Sequence, residues 1–402
     1  MRGHGSWALR KTGPMTQTGP DDAWLATELG RLVELAARSR DARGGFGWLD
    51  EHGGLLPDRP VQTWISCRMT YVLALAGMRG LGDTADLVDH GVAALRGPLR
   101  DDGYGGWWAD AAPGPDARKG AYDQAFVLLA LAAAAQSGHA DAEALLDEAV
   151  AVFDRHFWEE NLGAVRESRG ADWSDDEPYR GANANMHTVE ACLALARLRG
   201  PDPWVDRALR ITTRLIHGIA RDHDFLLPEH FDTAWRPLAS YNREAPAHPF
   251  RPFGVTIGHL FEWARLGFQL ATALGTSAPS YVREDAEALF SAAVRAGWAA
   301  DGRPGFVYTV DWDRRPVVAE RLHWVVCEAV GSAAALGAPE LTDWWSYARD
   351  AFVTSDGSWR HELDPAGRPS ATVWAGRPDV YHAFQAILLT REPLDSTLLP
   401  PR

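Results

Sequence analysis

With 402 residues, 46% hydrophobic and 23% charged, the chain has an ordinary globular composition and can bury a core without metal or disulfide staples. Forty Lys plus Arg against 54 Asp plus Glu give a net charge of −14, which excludes non-specific attraction to nucleic acid or anionic lipid. The three cysteines, Cys67, Cys192 and Cys327, are odd in number and lie in apolar helical patterns, so they are expected to be buried free thiols of a cytoplasmic protein rather than a disulfide framework.

Residues 1–20 lack an apolar leader and are expected to form a flexible extension, with Met15 as a natural start. Beyond them the 3.6-residue apolar period predicts helices over 22–38, 62–79, 83–96, 120–136, 141–156 and 183–199. Six more follow over 203–221, 256–274, 280–297, 318–336, 340–353 and 377–390. Glycine and proline stop them, as at Gly200-Pro201 and at Gly337 with Pro339. Short links such as Gly80–Asp83 alternate with long loops rich in Gly and aromatic residues, among them GGFGWLDEHGG from Gly44, GYGGWWAD from Gly103 and GFVYTVDWD from Gly305. Short strands are expected in those loops.

Helix, long aromatic loop, helix and short link recur about every sixty residues, the pattern of a helical repeat. Six such hairpins can close into an all-α (α/α)6 barrel, a single catalytic domain over 21–392 with 393–402 as a C-terminal tail. All the long loops then share one rim, and an open superhelix is the alternative. Lys11 and Lys119 are the sole lysines, the second in a loop rich in Pro and Gly, so a Schiff-base enzyme has almost no candidate. Phosphate-binding loops and dinucleotide fingerprints are missing.

In a closed barrel the inner helices begin at the mouth of one cavity, and their first turns are unusually polar. They carry Trp64 and Arg68; Tyr122, Asp123 and Gln124; Asn183, Asn185, His187 and Glu190; His259 and Glu262; Glu320, Arg321, His323 and Trp324; and Asp379, His382 and Gln385. A rim of His, Glu, Arg and Trp suits a polyhydroxylated small molecule, with aromatic faces against C–H surface and polar groups on hydroxyls. Glu262 follows His259 by three residues, a spacing that predicts it orients that imidazole. The pairs His187/Glu190 and His259/Glu262 could also hold a metal between helices, although no H-E-x-x-H or cysteine cluster accompanies them. Rim carboxylates Asp123, Glu229, Asp232, Asp311 and Glu320 leave open a glycoside hydrolase. His139, His156 and His217 read as structural, and His323 has no assigned role.

The segments RGANANMHTVEACLAL, GHLFEW and GRPDVYHAFQ, supported by TWISCRMTY and AYDQAFVLLALA, resemble the N-acylglucosamine 2-epimerase superfamily, near its mannose and sulfoquinovose isomerase branch. The likeness runs from about Trp24 to Leu389. It implies an (α/α)6 barrel that interconverts an aldose with its ketose or its C2 epimer, with no cofactor and no metal. By motif, the acid/base pair would be His259 and His382. Arg68, Trp64, Tyr122, Asn183, His187, Glu262, Trp324 and Trp374 would line a monosaccharide site. TIGH stands where epimerases often carry PGH, which favours the isomerases.

The chemistry itself asks for histidine. Removing the C2 proton of an open-chain aldose gives a cis-enediolate, which needs a base near neutrality, an acid for ring opening and a cation for the oxyanion. An imidazole serves as base and conjugate acid in one turnover, and a guanidinium stays charged throughout.

Overall fold

The computed structural model describes residues 21–401, so the expected extension over 1–20 lies outside the described residues. Twelve helices follow in order: α1 Asp22–Arg38, α2 Thr63–Met78, α3 Ala85–Arg96, α4 Ala121–Gln136, α5 Ala142–His156 and α6 Ala182–Arg199. The second half holds α7 from Trp204, α8 Ile257–Leu274, α9 Ser280–Gly297, α10 His323–Leu336, α11 Leu341–Phe352 and α12 Tyr381–Arg391.

Helix character separates into two classes. The even-numbered helices are buried on nearly every face; α4, AYDQAFVLLALAAAAQ, buries all but three of its residues. Odd-numbered helices such as α9 carry one apolar stripe and a charged outer face. Each even helix touches the next, α2 to α4, α6, α8, α10 and α12, and α12 returns to α2. The ring is therefore closed, an (α/α)6 barrel with the amphipathic helices outside. Caps reinforce the boundaries: Asp21 accepts from the amides of Ala23 and Trp24 at the start of α1, and Gly337 ends α10 in the left-handed conformation that glycine alone takes without strain.

Every inner helix is entered from a short extended segment pinned to a long loop. Arg118–Gly120 pairs with Ser168–Gly170, Arg180–Gly181 with His230–Phe231, Val255–Thr256 with Thr309–Val310, and Arg321–Leu322 with Glu362–Leu363. Single bridges join Gln62 to Asp110 and Leu49 to Arg377 before the other two. The pairing fixes where each inner helix starts and so aims its first turn into the barrel mouth.

Four expectations change. Residues 316–318 and 321–322 are strands, so α10 starts at His323 rather than 318, and α12 starts at Tyr381 rather than 377. After Thr212 helix α7 continues as a π-helix, Thr213–Ala220. Lys119 is not in an open loop: it lies in the strand before α4, fully buried, its ammonium on Asp101 and against the Trp108 and Trp173 rings.

The thiols of Cys67, Cys192 and Cys327 are free and buried. At the barrel end opposite the loops, Leu398 and Leu399 are buried, and Arg79 at the end of α2 donates to Glu392 and to the Leu398 carbonyl. Among the described residues no helix is long and apolar enough to cross a membrane.

Candidate active site

The loop end of the barrel holds a cavity of about 580 Å³, open mouth included. All ten residues that the resemblance assigns line it: Trp64, Arg68, Tyr122, Asn183, His187, His259, Glu262, Trp324, Trp374 and His382. They come from the first two turns of the six inner helices, Trp374 excepted, which stands in the loop before α12. Of the other polar residues read at the inner-helix starts, His323 and Asp379 line it, and Asp123, Gln124, Asn185, Glu190, Glu320, Arg321 and Gln385 do not.

His259 and His382 flank the indole of Trp324, with ring centroids 5.3 and 5.6 Å from it. Gly258 makes this packing possible, since a Cβ there would fall 2.1 Å from the Trp324 ring. Each imidazole is fixed through Nδ1 by a buried carboxylate from another element. His259 Nδ1 donates to Glu229 Oε1 at 2.9 Å, and His382 Nδ1 donates to Glu328 Oε1 at 2.8 Å. Carboxylates only accept, so Nδ1 carries the proton in both rings and Nε2 is left as the basic nitrogen. Burial, with the charge of Arg68 nearby, holds the His382 imidazole well below the ordinary histidine range.

Glu262 does not orient His259. Although three residues apart on one helix, they diverge: Glu262 Oε1 accepts from Arg265 at 3.3 Å and stands 3.8 Å from His187 Nδ1. Burial, followed by the charge of Glu328, holds the Glu262 carboxyl well above its usual range. The same spacing does bring His187 Nδ1 to Glu190 at 3.4 Å.

Arg68 lies flat among the Trp64, Phe126 and Tyr381 rings, its guanidinium carbon 5.0, 4.6 and 4.6 Å from their centroids. One terminal nitrogen meets Asp379 at 3.1 Å and the other the Tyr122 hydroxyl at 3.1 Å. Its Nε–H is buried without a partner among the described residues. A charged donor with an unused N–H on the cavity wall is suited to an oxyanion.

At the cavity wall, two groups have donor atoms close enough to hold a cation: His187 with Glu190 and Glu262, and Glu262 with Glu328 and His382. Arg265 already stands between them, 2.9 Å from Glu328 Oε2 and 3.3 Å from Glu262 Oε1, and supplies the positive charge an ion would bring. The carboxylates a glycosidase would use, Asp123, Glu229, Asp232, Asp311 and Glu320, do not line the cavity.

Several contributors stand outside the sequence assignment. Glu229 was read only as a rim carboxylate, and Glu328, buried in the apolar run of α10, had one legible signal, since a buried charge in such a helix requires a partner. Phe250 and His361 come from loops; Phe250 meets Trp64, Tyr122 and Trp374 edge-on, and His361 stacks on Trp374. Of the other tryptophans, Trp107 and Trp359 are core residues whose indole N–H groups bond Leu95 O and Glu28.

Residues 44–386 match the N-acylglucosamine 2-epimerase family. A D-mannose isomerase of Thermobifida fusca is 49% identical over 389 residues, covering 94% of this chain and 95% of its own. Another from Pseudomonas cannabina pv. alisalensis is 47% identical over 93% of this chain and 94% of its own. A crystal structure of a D-mannose isomerase superposes with a TM-score of 0.83 at 23% identity, over 94% of this chain and 99% of that one, a likeness of fold.

Proposed function

Because the chain belongs to the N-acylglucosamine 2-epimerase family, we propose that it is an aldose–ketose isomerase that interconverts D-mannose and D-fructose through a cis-enediolate, without a cofactor. The observation that carries this reading is the pair of imidazoles packed against Trp324, each with Nδ1 tied to a buried carboxylate and Nε2 without a partner among the described residues, beside an arginine with an unused N–H.

In this reading His259 Nε2 removes the C2 proton of the open-chain aldose and returns it to C1. Glu229 steadies the imidazolium formed in between. The negative charge that develops on O1 and O2 faces Arg68. His382 assists ring opening and carries the proton from O2 to O1. An epimerase would instead need His382 to deliver a proton to C2 from the opposite face. Trp64, Trp324 and Trp374 offer apolar faces to the sugar, and Tyr122, Asn183, His187 and Glu262 offer hydroxyl partners. One barrel over 21–392 carries the whole set, and the three unpaired thiols fit a cytoplasmic enzyme.

Incubation with D-mannose in D2O tests this. Fructose as product, with deuterium at C1 or with the proton retained by a shielded His259, supports the isomerase. Glucose labelled at C2 would mean a two-base epimerase. Mannose returned unchanged and unlabelled would overturn the substrate assignment.

A further inference from the structure

His323 opens α10, one residue before Trp324, and lines the same cavity. Its side chain differs from its neighbours in one respect. His259, His382, His187 and His361 each have a ring nitrogen bonded to a carboxylate or to a backbone carbonyl, whereas both ring nitrogens of His323 are buried without a partner among the described residues. The residue is 3% exposed, and its ring centroid lies 5.2 Å from that of His361 and 6.3 Å from that of His382. Its backbone amide is held by the His361 carbonyl at 3.1 Å, so the ring is placed by the strand pairing that starts the helix and not by its own hydrogen bonds.

Two unpaired nitrogens on a buried ring cost free energy unless something in the cavity bonds them. Resting on the isomerase reading above, we infer that His323 is a specificity-determining residue that hydrogen-bonds one sugar hydroxyl outside the reacting C1–C2 pair. The chemistry fits a hydroxyl. With no fixed partner the ring can take either tautomer, and a neutral imidazole offers one donor and one acceptor, as a hydroxyl does. Burial and the two adjacent imidazoles hold His323 well below the ordinary histidine range, so it brings no positive charge for a phosphate or sulfonate. The ring stands beside His361 and His382. In the reading above His259 and His382 serve C1, C2 and their oxygens, which leaves His323 a hydroxyl farther along the sugar.

The test uses the full-length protein, the variants His323→Phe and His323→Gln, and four substrates: D-mannose and its 3-, 4- and 6-deoxy analogues. His323→Phe is expected to lower kcat/KM for mannose about tenfold, mainly through KM, and to lower it equally for two of the analogues. On the analogue that lacks the partner hydroxyl, variant and parent are expected to match. His323→Gln, which keeps a donor and an acceptor, is expected to recover part of the loss on mannose. An equal loss on all four sugars, no loss on any, or a fall in kcat with KM unmoved would each overturn the assignment. Failure of the parent itself to convert mannose would instead overturn the isomerase reading.

Discussion

The link from Glu229 to His259 gives the sharpest test of the mechanism, because the Glu229 carboxylate contacts the base without lining the sugar cavity. Glu229→Gln keeps the shape and one acceptor oxygen for the Nδ1 proton, and removes only the charge. A hydrogen bond to a charged group contributes about 1.5–3 kcal/mol and a neutral one about 0.5–1.5, so roughly 1–1.5 kcal/mol of support for the transient imidazolium is lost. At 1.36 kcal/mol per decade this lowers kcat about 5- to 13-fold. That charge appears on His259 only as the proton is taken up, so KM is expected to stay within about twofold. Initial rates of fructose formation against mannose concentration separate the two parameters, and a thermal melt confirms an intact fold. Glu229→Ala, which leaves the Nδ1 proton buried and unbonded and frees the ring, is expected to cost more, about a hundredfold. A Gln variant with the parent's kcat, or one that raises KM at constant kcat, would refute the role of Glu229 as the anchor of the base.

The acid/base pair makes a coarser demand: His259→Gln and His382→Gln should each lower kcat by about 10²- to 10⁴-fold, and a variant within threefold of the parent would remove that imidazole from the mechanism. Asp123 predicts a pH dependence of stability. Burial, with the charge of Asp110 adding to it, raises its carboxyl from 3.8 to about 8, so between those values the folded protein keeps a proton that the unfolded chain releases. Its contribution to stability therefore falls as pH rises through that window, and the melting-point advantage of Asp123→Asn should be small at pH 4 and grow toward pH 8. An advantage that stays constant across the range would refute this. Dialysis against a chelator should leave the turnover rate unchanged, since Arg265 already bonds both Glu262 and Glu328 where an ion would sit. A loss reversed by a divalent ion would reassign Glu190, Glu262 and Glu328 as ligands.

How much of this was legible in the sequence follows from which interactions are local. Helix existence, the alternation of link lengths and the polar helix starts are written within a few residues of each other, so the twelve helices and a ring of polar helix starts could be read directly, while the choice of ten cavity residues among them came with the family resemblance. The starts of α10 and α12 could not. Residues 316–318 and 321–322 continue the apolar pattern, but their backbone pairs with Thr309–Val310 and Glu362–Leu363, partners a periodicity window does not see. The orientation of the base is lost for the same reason. The i+3 rule works for His187 and Glu190, where both side chains face the neighbouring inner helices. It fails for His259 and Glu262, because Arg265, a further three residues along, captures Glu262 from below. His259 turns instead to Glu229, thirty residues away on a loop fixed by the strand pair His230–Phe231 with Arg180–Gly181. Its counterpart His382 reaches Glu328 across 54 residues, from α12 to α10. Barrel closure is what unites these sites: it brings every inner-helix start to one mouth, so an acid/base group on one helix can be held by a carboxylate from another. A buried Glu or Arg inside an apolar helix, such as Glu328 or Arg265, is then the sequence mark of a partner elsewhere, although not of which partner.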